Sequence, residues 1–226
     1  MHNITLICTN HLEFGKCNSE ELYKIIEFIS PDVIFEEIPL KLFEIIYNDK
    51  LIDLTSEVVT EIKCVKKYLQ NYHIKHIPVD TDIRFISDNE HNWMFDIFEK
   101  YADYNKINND LRLLTEQFGF SFINSNECLD LSEQLNIVKE DIMNVDINKN
   151  ELNRVHQLFN KQDDTRENAM LQNIYDFSKK IQYNQAVFLI GSAHKKALMQ
   201  KINRYEKLPE IKLKWKMNGT NNKTYR

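Results

Sequence analysis

The sequence predicts an α/β fold: a central, mostly parallel sheet flanked by helices, with a helical insertion in the middle of the chain. Three observations predict it. Residues 4–37 read as strand, helix and strand within about thirty residues, the spacing of a parallel β-α-β unit. A second short apolar run, Ala186-Val187-Phe188-Leu189-Ile190, ends at Gly191 and has the composition of a buried strand. Only four glycines and four prolines occur in 226 residues, too few turn formers for an all-β chain.

Residues 4–9, Ile-Thr-Leu-Ile-Cys-Thr, form the first predicted strand. A polar loop through His11, Gly15 and Asn18 leads to Ser19, taken as a helix N-cap, with Glu20 and Glu21 set favourably against the helix dipole. Leu22, Ile25, Ile26 and Ile29 then repeat at helical spacing. Ser30-Pro31-Asp32 breaks the helix, and residues 33–37 form the second strand. Residues 40–71 read as mainly helical. Residues 76–80 read as a third strand, with Pro78 suited to a sheet edge.

From about 89 to 183 the pattern is helical, interrupted near Gly119 and Asn124, and no Gly/Ser/Pro-rich linker borders it. It is expected as an insertion within one domain spanning 1–226. Its last helix is expected to begin near Arg166, with Met170, Ile174, Phe177 and Ile181 on one face. Ser192 is expected to cap a helix carrying Leu198 and Ile202; residues 211–217 alternate as a further strand, and 218–226 form a polar tail.

Composition narrows the function. A net charge of −5 disfavours nucleic acid as a partner, since phosphate binding calls for a clustered basic face. No apolar run is long enough to cross a membrane, and the first residues lack a secretory pattern, so a cytoplasmic protein is expected. Cys8, Cys17, Cys64 and Cys128 match no zinc-site spacing and are read as reduced thiols. Walker, dinucleotide-binding, nucleophile-elbow and H-E-x-x-H motifs are absent.

Ligands of open α/β sheets bind beyond the carboxyl ends of the strands. Here those ends carry His11, the Glu36-Glu37 pair, Asp80 and His194. Each has an ordinary explanation: a surface-loop histidine, a solvated strand terminus, a capping aspartate. Strand alternation lets only one of Glu36 and Glu37 face the site. His194, in the first turn of a helix, is expected to have a depressed pKa and a neutral ring. Arg166 shares the face of Met170 and needs an anionic partner. Glu167 is read as helix-start electrostatics, and Asn173 as polar surface or a supporting hydrogen-bonder. His11, Glu37 and His194 can bind Zn²⁺, Mn²⁺ or Co²⁺ with a position left for water. The same groups can instead activate water directly, Arg166 or a histidine stabilising the oxyanion.

Thr9-Asn10-His11, Glu20-Glu21-Leu22 and the segment from Pro31 to Glu37 resemble the opening of the TraB/PrgY/GumN–Tiki family, which is grouped with erythromycin esterases and ChaN-like haem-binding proteins. Arg166-Glu167-Asn168-Ala169-Met170 and Gly191-Ser192-Ala193-His194 resemble that family's R-x-x-x-M and closing G-x-x-H segments. The resemblance covers about the first forty and last sixty residues as a motif match. It implies a hydrolase acting on a peptide or a small-molecule ester, with His11, Glu37, Arg166 and His194 as site residues and Asp80 less secure. Tiki-like members imply a divalent metal; erythromycin esterases imply a histidine-activated water. A non-enzymatic peptide or tetrapyrrole binder on the same scaffold is the alternative. Cys8 stands where the family usually has glycine, a departure in the turn before His11.

Overall fold

A computed structural model describes residues 2–48, 59–205 and 211–218. The elements run β1 (His2–Thr9), α1 (Ser19–Ile29), β2 (Val33–Pro39), α2 (Leu40–Asn48), α3 (Thr60–Asn71) and β3 (Lys75–Asp80). Then come α4 (Asp88–Phe98), α5 (Ala102–Phe118), α6 (Phe120–Ile123), α7 (Asn126–Val145) and α8 (Lys149–Lys180). β4 (Gln185–Gly191), a single 3₁₀ turn at Ser192–His194, α9 (Lys195–Tyr205) and β5 (Leu213–Met217) complete the order.

The five strands form one sheet in the order β3-β2-β4-β1-β5, with every pair parallel. Pro78 lies in β3, an edge strand, where its missing N–H costs no ladder bond. The connection leaving β1 passes through α1 to β2, and that leaving β4 passes through α9 to β5 on the far side of β1. The two helices cover opposite faces. Leu22 and Ile26 of α1 pack with Ile7, Ile34, Val187 and Leu189, while Leu198 and Ile202 of α9 pack with Ile4, Leu6, Phe188 and Ile190. Adjacent strands whose outgoing connections part in this way define a switch point, and their carboxyl ends open a crevice. His11 and His194 follow those two ends.

Several local expectations need correction. Asn18, not Ser19, caps α1, its side chain accepting from Glu21 N at 3.0 Å. Ser19 instead donates its N–H and hydroxyl to Glu13. Arg166 is not near a helix start: α8 runs 32 residues without a break, and Arg166 lies past its midpoint. Ser192 makes no cap, because a 3₁₀ turn precedes α9. Of the helix read over 40–71, residues 49–58 lie outside the described residues, as do 219–226 of the tail. The insertion is helical as expected. Its helices α4, α5, α7 and the first half of α8 share a cluster of their own, including Met94, Phe98, Ile142 and Val155. The second half of α8 lies on the sheet through Met170, Leu171 and Ile174.

Side chains finish the ladder where strands stop. β5 pairs with β1 only as far as Leu6. Beyond it, the buried Asn124 accepts from Cys8 N at 2.8 Å and donates to Cys8 O at 3.0 Å. Asn124 thus replaces one residue of a missing strand, and Cys8 needs no glycine-like backbone. At the other end, Asp32 accepts from the N–H groups of Asn184 and Gln185. Asn124→Ala strips two buried backbone groups of their partners and should cost about 2–4 kcal/mol, read as a lower urea midpoint at unchanged slope. A loss under about 0.5 kcal/mol would contradict this role.

Candidate functional site

The site grows from the interrupted ladder between β2 and β4. Pairing stops at Glu36–Leu189, and β2 shifts register between Glu36 and Pro39. Gly191 N therefore has no main-chain partner on that side, and Glu37 Oε2 accepts from it at 2.7 Å. Glu37 faces the crevice; Glu36 faces away, fully buried between the Tyr47 hydroxyl at 2.5 Å and His76 Nδ1 at 2.8 Å. Gly191 has no side chain to screen the convergence. A Cβ placed there would lie 3.4 Å from Glu37 Oε2, 3.6 Å from His11 Nε2 and 3.8 Å from His194 Cδ2. The two imidazoles and the carboxylate thus surround one point.

His194 is held on both nitrogens. Nδ1 lies 2.7 Å from Glu167 Oε1, and Nε2 lies 3.3 Å from Glu37 Oε1. Burial alone would push its pKa down, but hydrogen bonds to Glu167 and Glu37 outweigh it and bring the ring up to about 10. His194 is accordingly an imidazolium at neutral pH, not the neutral ring expected at a helix start; two carboxylates overcome the dipole. Burial lifts Glu37 as well, yet His194, the Gly191 N–H and His11 hold it down at about 2. Glu167 is buried and also accepts from Lys201 Nζ at 2.8 Å, so it is part of the site and not helix-start electrostatics.

Arg166 spans the other side. Its Nη2 donates to Glu37 Oε1 at 2.8 Å and to Asp80 Oδ2 at 2.7 Å, while Nε meets both Asp80 oxygens at 3.2 Å. Asp80 is therefore an arginine partner as well as an acceptor for its neighbour Thr81 N–H. Nη1 is the least committed corner, with a 3.5 Å contact to Asp163. Asn173 supports β3 from α8 by donating to Val79 O at 2.8 Å.

His11 differs from His194 in exposure. Its side chain is 56% accessible, and it lines a cavity of about 390 Å³ together with Glu37, Asp80 and Arg166. Nδ1 lies 3.2 Å from the buried Glu61 Oε1, which raises the ring's pKa above 6.5. The N-terminus of α3 fixes the loop, with Thr60 N–H donating to His11 O at 3.0 Å. Glu61 also accepts the Thr9 hydroxyl, and its Oε2 is buried with no hydrogen-bond partner among the described residues.

Set beside known proteins, the chain matches no family model, no curated protein and no solved structure. Its site must be read from its own geometry.

That geometry brings together His11, Glu37, Arg166 and His194, and places Asp80, the less secure candidate, beside them on Arg166. Two carboxylates escaped sequence reasoning. Glu61 lies in a helix with no motif to mark it, and Glu167 shares a segment whose charge pattern suits an ordinary helix. The ring of His194, protonated between Glu167 and Glu37, would have to give up its proton before it could coordinate a metal, while Glu37 keeps lone pairs beyond the bonds it accepts from Gly191 and Arg166. Among the described residues no group of three or more His, Cys, Asp or Glu side chains is arranged to hold a metal ion. As they stand, His11, Glu37 and His194 do not fit a metal centre.

The His194 ion pairs carry a pH signature. The folded chain binds this proton more tightly than the unfolded one, so the stabilisation is complete below about pH 6.5. It is lost as pH rises toward about 10. The stability difference between wild type and His194→Gln, from denaturant titrations, should shrink across that window by on the order of a few kcal/mol. A difference independent of pH would contradict the imidazolium.

Proposed function

We propose that the chain is a hydrolase of the TraB/Tiki–erythromycin esterase type, adding water to a peptide or ester carbonyl with His11 as general base. One observation carries the reading: His11 is an exposed imidazole on the cavity, with Nδ1 backed by a buried carboxylate and Nε2 turned toward the convergence at Gly191. A carboxylate behind one nitrogen fixes the tautomer and raises the basicity of the other. The motifs from Thr9 to His11, Pro31 to Glu37, Arg166 to Met170 and Gly191 to His194 support the same reading.

In the proposed reaction, His11 Nε2 takes a proton from a water as its oxygen attacks the carbonyl carbon. The charge that develops on the carbonyl oxygen faces Arg166 Nη1. His11 then returns the proton to the leaving amine or alkoxide. His194 does not exchange its proton; clamped between Glu167 and Glu37, it fixes the carboxylate that orients Arg166. Each of these steps is made by side chains of this chain. The acidic net charge argues against a nucleic-acid partner, and no helix among the described residues is long and apolar enough to cross a membrane. The four cysteines are free and buried, in keeping with a place in the cytoplasm.

The test is an ester and peptide panel assayed with tag-free protein whose metal content is measured. His11→Ala should lower kcat/KM by about 10²–10⁴-fold with little change in Tm, since the ring is half exposed. The wild-type rate should rise along a limb above pH 6.5 set by the raised His11 pKa. Equal activity in the variant would reject His11 as base. Activity lost to a chelator and restored by Mn²⁺, Co²⁺ or Zn²⁺ would replace this mechanism with a metal-dependent one. A wild type inert on the whole panel would favour a peptide or tetrapyrrole binder.

A further inference from the structure

The cavity beside His11 has two unlike walls. One is aliphatic: Leu42 of α2 and Ile83 beyond β3 line it, yet these residues are left 46% and 36% exposed. Bulky aliphatic groups uncovered inside a concave site are surface that a ligand can remove from water. Nothing in the charged wall explains them.

The charged wall is not balanced. Glu37, Asp80, Asp82 and Asp88 line the cavity against two guanidiniums, Arg84 and Arg166. Both guanidiniums are already engaged, Arg84 with Asp88 at 2.9 Å and Arg166 with Glu37 and Asp80. Asp82 is exposed and, among the described residues, makes no hydrogen bond or ion pair. Among the described residues an anionic ligand would therefore meet four carboxylates, two engaged guanidiniums and the rings of His11 and His91, whereas a cation would meet the unengaged carboxylate of Asp82. Charge complementarity and the uncovered aliphatic wall select the same kind of molecule.

We infer that the site takes a chain end carrying an ammonium group beside a bulky aliphatic side chain, as in the first residue of a peptide or an α-amino ester. The inference rests on the hydrolase reading for the reacting carbonyl but concerns recognition, which can be measured without turnover. Asp82 faces the ammonium group, and Leu42 and Ile83 cover the side chain. Asp82 is a specificity residue in this account and takes no part in proton transfer.

The experiment titrates L-leucinamide, N-acetyl-L-leucinamide and glycinamide into the full chain carrying His11→Ala, by calorimetry. Cleavage of leucine 4-nitroanilide and its N-acetyl form by wild type is followed separately. Leucinamide should bind more tightly than its acetylated form by roughly fivefold or more, the size of one partly exposed ion pair. That preference should narrow in about 0.5 M salt and in Asp82→Asn, which unpairs nothing and should fold normally. Leu42→Ala should weaken leucinamide and leave glycinamide unchanged. Equal or tighter binding of the acetylated amide, glycinamide matching leucinamide, or an undiminished preference in Asp82→Asn would each overturn the inference. The two claims separate cleanly. Selective binding with no cleavage of either anilide removes the hydrolase and keeps the recognition; faster cleavage of the acetylated anilide does the reverse.

Discussion

Glu37 is the group on which the rest of the site depends. Its carboxylate closes a gap in the sheet by accepting the Gly191 N–H, and in the same position it pairs with Arg166 and His194. Burying such a charge is costly unless it is fully paired, and removing one partner of a buried ion pair typically costs about 3–5 kcal/mol. The cluster is therefore closed in a physical sense. Glu167 and Lys201 satisfy the far side of His194, and Asp80 satisfies the far side of Arg166. His11 is the most exposed of these groups, with solvent on one side, which is why proton transfer is assigned there.

Fold and site share one device. Where a strand ends before its neighbour, a side chain supplies the missing ladder partner: Asn124 at Cys8, Asp32 at the start of β4, Glu37 at Gly191. At Asn124 and Asp32 the substitution is structural. At Glu37 it falls on the switch point between β4 and β1, where α1 and α9 leave on opposite faces and the strand ends open a crevice. A carboxylate placed there to complete a sheet is also exposed to whatever enters the crevice.

Much of this was legible in the sequence because it depends on local patterns. The β-branched runs at 4–9 and 186–190, the helix face of Leu22 and Ile26, and the edge proline at 78 each follow from period and residue type. The convergence of His11, Glu37 and His194 follows from strand ends in a parallel sheet. What was not legible depends on contacts between remote segments. Glu61 and Glu167 look like surface helix residues until α3 and α8 are packed against the strand ends. The protonation of His194 reversed for the same reason: a helix-start argument uses one local dipole, while the folded chain places two carboxylates on the ring. α8 runs past Arg166 in both directions because no glycine or proline interrupts it from 149 to 180.

The two neighbouring histidines differ in kind: His194 is locked in its charged form, and His11 is free to exchange its proton. Nitrogen-15 NMR of the imidazoles, assigned with His11→Ala and His194→Gln, measures this difference directly. Resonances of a doubly protonated ring for His194 at pH 8, beside a His11 that titrates with its Nδ1 protonated when neutral, are the predicted result. A His194 ring that is neutral at pH 8 would contradict the ion-pair cluster and, with it, the division of roles between the two histidines.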